Sequence, residues 1–137
     1  MNNDIIFLRH AATKKDKDIS VSQWTLTDEG KKEVQELTDS GIFDDVDIII
    51  SSTEKKAYLT VEPLAKKLSK EITPIKELSE INRDSGKIMP KEEYDQMKVQ
   101  IFEDFDYTNY GWETVNSALN RFKKAVEDID QKYDGKK

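Results

Sequence analysis

The chain has 137 residues, 22 of them basic and 28 acidic, for a formal net charge of −6, and charged and hydrophobic residues each make up 36% of it. That length fits a single domain, 1–137, with its own core, and the acidic balance argues against a phosphate-backbone binder, since such proteins carry a basic face. With no cysteine in the sequence, disulfides, thiolate nucleophiles and cysteine-ligated metals are excluded as well.

Residues 4–9 read as a buried central strand, because Ile5, Ile6, Phe7 and Leu8 are consecutive apolar residues without helical periodicity. The strand ends in Arg9-His10, and His10 is the only histidine in the chain. A polar loop over 11–26 leads to Thr27, a good N-cap, with Asp28 and Glu29 where a helix dipole favours negative charge. That helix buries Val34 and Leu37 and stops near Gly41. Val46 to Ile50 is a second, β-branched strand ending at Ser51-Ser52.

A helix over about 53–70 follows, with Ala57, Val61, Leu64, Ala65 and Leu68 on one stripe and Pro63 expected to kink it. Ser51 and Ser52 are candidate caps for it. Ile72 to Leu78 reads as a third strand with Glu80 just past its end, and Lys91 to Phe105 as a surface helix between the turns Asp84-Ser85-Gly86 and Thr108 to Gly111. The last helix is capped by Thr114 and carries the stripe Val115, Ala118, Leu119, Phe122, Val126, Ile129 and Tyr133.

This order predicts an α/β fold with a mostly parallel central sheet, helices on both faces, and an active edge at the C-terminal ends of the strands. His10, Ser51-Ser52 and Glu80 all fall on that edge. The start Met1-Asn2-Asn3-Asp4 has no basic-then-apolar leader, and no run approaches the roughly 18 apolar residues of a membrane span. A soluble, cytoplasmic protein without membrane or nucleic-acid partners is expected.

A neutral imidazole at a strand end can attack phosphorus, and a neighbouring guanidinium can hold the phosphate oxygens. Taken alone, an Arg-His dipeptide marks only where a strand meets solvent. Its companions give it weight: Leu26-Thr27-Asp28-Glu29-Gly30, then Ser51-Ser52 with Lys56-Ala57 and Thr60, then Leu78-Ser79-Glu80, and finally Glu113-Thr114 with Arg121. In order and spacing these motifs resemble the histidine phosphatase superfamily, the phosphoglycerate-mutase-like group.

The resemblance implies that His10 is the phosphorylated nucleophile, Arg9 its phosphate-binding neighbour, Thr13 the threonine three residues on, and Glu80 the proton donor to the leaving group. Lys56 stands where the family usually has a second phosphate-binding arginine. Ala11 replaces the usual glycine, and Asp16 stands where many members have a phosphate-contacting asparagine. The family's second catalytic histidine, at the end of a further strand after the long helix, has no counterpart up to Lys137. The expected fold is therefore a C-terminally truncated member with an unpaired sheet edge, a place for homodimer pairing.

The function expected is a phosphoric monoester hydrolase acting through a phosphohistidine on His10. Its partner is a small phosphorylated substrate or a phosphoprotein, since acidic residues of 82–112 disfavour a highly anionic second substrate. The alternatives are a catalytically impaired phosphate-binding module, a phosphoglycerate-mutase-type phosphoryl transfer, and a dimerisation fragment. No cofactor is implied, and a single histidine among scattered carboxylates shows no metal-ligand spacing.

Overall fold

A computed structural model describes residues 2–84 and 89–137. Its elements run α1 (Asp28–Asp39), β1 (Ile49–Ser51), α2 (Lys55–Leu68), β2 (Ile72–Pro74), α3 (Lys91–Glu103) and α4 (Val115–Lys132), with short 3-10 turns at Val21–Gln23 and Lys76–Leu78. β1 and β2 are parallel, with Ile49 opposite Ile72 and Ser51 opposite Pro74. The crossover between them is α2, whose Leu64 and Ala65 bury against Ile49 with Phe43, Val46 and Val61 packed around them.

The helix boundaries follow local chemistry. Thr27 and Thr114 cap α1 and α4 as expected, their hydroxyls accepting from the amides of Gly30 and Ser117. α1 is followed by Gly41 at φ +74°, a left-handed residue that suits glycine. α2 runs unbroken past Pro63, and its cap position is Glu54, not Ser51 or Ser52. The third strand is shorter than expected: the chain leaves β2 at Pro74, which has no N–H to donate, and turns through Lys76–Leu78 toward Glu80. Part of the Asp84-Ser85-Gly86 turn lies outside the described residues.

The largest correction concerns residues 4–9, which are not a central strand among the described residues. Asp4 N donates to Lys136 O at 2.8 Å, but no backbone group of residues 5–10 bonds to the backbone of another described residue. A strand exists only where a neighbour satisfies its N–H and C=O groups, and the free edge of β1 is separated from this segment by a groove. Ile5, Ile6, Phe7 and Leu8 are consequently 41–66% exposed.

The groove, about 390 Å³, is lined by residues 3–10 on one side and 48–52 on the other, with Val61 and Leu64 of α2 and Phe122 and Val126 of α4 along it. Phe7 reaches Phe122 across 6.0 Å between ring centres. The same groove leaves Phe122, Val126 and Ile129 of the α4 stripe only half-buried. At one end Lys137 O accepts from Asp47 N at 2.6 Å and Ile48 N at 3.1 Å, while His10 lines the groove as well. A second cluster, Met97, Ile101 and Trp112 with Tyr94, Tyr107 and Tyr110 around it, ties α3 to the segment before α4. No helix among the described residues is long and apolar enough to cross a membrane.

Candidate active site

The loop carrying His10 is held by the start of α1. Thr27 N donates to Ala12 O at 2.9 Å, Lys14 N donates to Thr25 O at 2.8 Å, and Thr13 and Leu26 form an isolated antiparallel bridge. Gly30 completes the fit, because a Cβ on it would lie 2.4 Å from Ala12 O; any side chain there would push the loop away. From the other side, Thr60 of α2 accepts from Ala11 N at 3.1 Å and donates to Lys56 O at 2.8 Å. These contacts give the Leu26 to Gly30 motif and Thr60 a physical role: they fix the backbone on which the imidazole stands.

His10 Nδ1 lies 2.9 Å from Ala11 O and 3.1 Å from Thr13 Oγ1, whose hydroxyl donates to Ala11 O at 3.2 Å. A carbonyl only accepts, so Nδ1 carries the proton and Nε2 faces the site. Nε2 is 2.8 Å from Glu80 Oε1.

The other oxygen of Glu80 is shared by two cations: Lys56 Nζ at 2.9 Å and Arg83 Nη2 at 2.9 Å. Lys56 is buried, its side chain 3% exposed, and is also 3.5 Å from Glu54 Oε1. Glu54 Oε2 in turn accepts from Glu80 N at 2.9 Å. Burial pushes the Glu80 carboxyl up, but its bond to the Lys56 ammonium and that charge, with His10 and Arg83, outweigh burial and hold it below the ordinary glutamate value.

Segment 77–82, which carries Glu80, is clamped from α4. Arg121 donates to the carbonyls of Glu77, Ser79 and Glu80 at 2.6, 2.8 and 3.0 Å. Its guanidinium also grips Glu113 through Nε at 2.9 Å and Nη2 at 2.7 Å, a two-pronged pair. Glu113 accepts further from Asn82 N at 3.0 Å and Ser117 Oγ at 3.1 Å. The Arg121 bond, helped by these donors and opposed by burial, lowers the Glu113 carboxyl from 4.5 to about 2.

A carboxyl lowered in the folded state stabilises the fold above its unfolded pKa, near 4.5, and that contribution fades as pH falls toward 2. Glu113→Gln is therefore expected to cost roughly 2 kcal/mol at pH 7, after allowance for solvent screening of a partly exposed pair. Thermal melts should show a lower midpoint for the variant at pH 7 and a narrowing difference from wild type as pH drops below 4. Equal melting at pH 7 would show that the clamp carries no stability.

Of the residues singled out from sequence, His10, Thr13, Lys56 and Glu80 come together within hydrogen-bond reach. Arg9 does not join them: it is exposed, bonds to no described residue, and lines the groove next to His10. Asp16 turns its carboxylate to the Asp18 amide at 2.9 Å, and it lines neither cavity beside His10. Sequence reasoning missed Glu54 and Arg83. Glu54 lies inside a lysine-rich helix start that reads as solvated surface, and Arg83 sits in an irregular segment with no periodicity to flag it. The spacing of three from Glu80 was the one available signal.

Comparison with known proteins bears on this arrangement. The histidine phosphatase superfamily (branch 1) model matches residues 5–137. Among solved structures, YhfR of Bacillus stearothermophilus is similar at TM-score 0.73 and 22% identity, over 93% of this chain and 67% of that one. A mycobacterial glucosyl-3-phosphoglycerate phosphatase, solved with inorganic phosphate, is similar at TM-score 0.71 and 17% identity, over 88% of this chain and 59% of that one. A second mycobacterial protein, described as hydrolase 1, gives TM-score 0.68 at 18% identity, over 88% and 61%. The chain thus spans about 59% and 61% of the length of these two mycobacterial structures. No curated protein sequence matches it. With its family model matching from Ile5 to the last residue, the chain belongs to the histidine phosphatase superfamily, branch 1.

Proposed function

We propose that the protein hydrolyses phosphoric monoesters through a phosphohistidine on His10. The observation that carries this reading is the pair of contacts on one imidazole: Nδ1 held by Ala11 O at 2.9 Å and Nε2 facing Glu80 Oε1 at 2.8 Å. The first fixes the tautomer that leaves Nε2 as the attacking atom, and the second sets a carboxyl beside it to carry the proton.

When a phosphomonoester enters, its oxygens compete with Glu80 for Lys56. Losing that bond removes the strongest influence lowering the Glu80 carboxyl, which then takes up a proton from solvent and leaves the Nε2 lone pair free. The Nε2 lone pair attacks phosphorus, the bond from phosphorus to the ester oxygen breaks, and Glu80 protonates the leaving alkoxide. In the second step water attacks the phosphohistidine, Glu80 takes its proton, the P–N bond breaks, and Nε2 recovers its lone pair as inorganic phosphate leaves. Lys56 and Arg9 are the cations for the phosphoryl oxygens, and Thr13 fixes the Ala11 carbonyl that orients the ring. A small phosphomonoester or a phosphoprotein is the substrate class this reading takes.

The test is chemical. Brief exposure of the chain to p-nitrophenyl phosphate, followed by rapid quenching in base, should leave phosphate on His10 that acid removes and base does not, as a P–N bond requires. Peptide mapping that finds no transferred phosphate, or finds it on a hydroxyl, overturns the reading.

A further inference from the structure

We infer that Arg83 is a phosphate-holding residue of this pocket, supplying the guanidinium that Lys56 does not. The inference rests on reading the pocket as a phosphate site, and concerns which cations make it one.

Charge balance leads to it. Lys56 is the buried cation of the site, yet it faces two carboxylates, Glu54 at 3.5 Å and Glu80 at 2.9 Å. One ammonium against two carboxylates leaves the surroundings of Nε2 net negative, and a dianion would be repelled. Arg83 reverses this by bringing a second cation to the same Glu80 oxygen, at 2.9 Å. Two cations then balance two carboxylates.

Glu80 itself shows where an anion sits. Its carboxylate touches His10 Nε2, Lys56 Nζ and Arg83 Nη2 at once, at 2.8, 2.9 and 2.9 Å. A phosphoryl group in that position would have one oxygen for Lys56 Nζ and one for Arg83 Nη2, with its phosphorus facing His10 Nε2. Glu80 thus occupies, in this structure, the position a phosphate would compete for.

Arg83 is also held ready for the role. Its Nη1 donates to Tyr94 Oη at 2.8 Å, and its guanidinium carbon lies 5.8 Å from the Trp112 ring centre. Those contacts fix the plane of the guanidinium from the α3 side without neutralising it. Its Nε is buried and has no hydrogen-bond partner among the described residues, a donor that the folded chain leaves unused. Lys56 offers a point charge; Arg83 adds the planar fork that matches two oxygens of one phosphate.

The experiment measures binding of inorganic phosphate by calorimetry to wild type, Arg83→Met, Arg83→Lys, Glu80→Gln and the Glu80→Gln/Arg83→Met double variant. Arg83→Met should weaken binding by about tenfold to a hundredfold, the loss of charged hydrogen bonds, and Arg83→Lys should recover part of it. The same weakening should appear in the Glu80→Gln background, where Arg83 has no carboxylate to neutralise. Equal phosphate affinity with and without Arg83 in that background overturns the inference, because Arg83 would then act only through Glu80. Should the Met variant fail to fold, Arg83→Lys carries the test: unchanged affinity overturns the inference and weakened affinity upholds it. No phosphate binding by wild type also overturns it. Phosphate held through Arg83 by a chain that never phosphorylates His10 upholds this inference and sinks the phosphatase reading, while a phosphorylated His10 with unaltered binding in Arg83→Met does the reverse.

Discussion

His10→Ala is expected to lower turnover of an aryl phosphate by at least about 10⁴-fold, the scale seen when a nucleophile acting within a concerted group is removed. Nothing in the chain can replace it: there is no second histidine and no cysteine, and the serines near the site are already engaged, with Ser51 Oγ donating to Ser52 O at 2.9 Å. Misfolding will not explain the loss. The imidazole side chain is 17% exposed, and its removal gives up contacts to Ala11, Thr13 and Glu80 worth about 1 kcal/mol each, which should lower the melting midpoint by roughly 10 °C. The measurement is steady-state release of p-nitrophenol alongside a melting curve for each protein. Turnover within tenfold of wild type in a folded variant would remove His10 from the reaction.

The parts of this site that were legible in sequence are those with a local signature. His10 follows an apolar run, Glu80 follows Leu78-Ser79, and the capping threonines stand before helices with clear stripes. Less legible were roles set by partners far along the chain. Lys56 reads as an exposed helix start beside Lys55, yet it is buried because Glu54 and Glu80 close around it. Arg121 and Glu113 stand out as a motif, but only the fold shows that the guanidinium grips three carbonyls of the Glu80 segment.

The failure at residues 4–9 has a different cause. Ile5 to Leu8 have the composition of a buried strand, but composition supplies side chains and not the hydrogen-bonding neighbours that make a strand. Here the segment lies along a groove whose far side is the free edge of β1. Its apolar pattern therefore describes the groove wall, and the sheet is limited to β1 and β2 among the described residues. The imidazole is unaffected, because its position depends on the α1 start and Thr60 rather than on a ladder.

Glu80→Gln should separate binding from chemistry, moving them in opposite directions. The carboxylate that now fills the space between His10, Lys56 and Arg83 competes with phosphate; an uncharged amide competes less, so inorganic phosphate should bind more tightly to the variant. Gln has no acidic proton to give, and turnover should fall by about 10² to 10⁴-fold, the usual contribution of a general acid and base. The fall should depend on the leaving group. A nitrophenolate departs without protonation, so the first step survives and phosphohistidine accumulates, seen as a burst of nitrophenol approaching one per chain followed by slow release. An alkyl phosphate needs the proton to depart, and its first step should slow by the full factor. Alkyl and nitrophenyl esters slowed equally, with no burst, would mean that the carboxyl beside Nε2 neither delivers the leaving-group proton nor takes one from water.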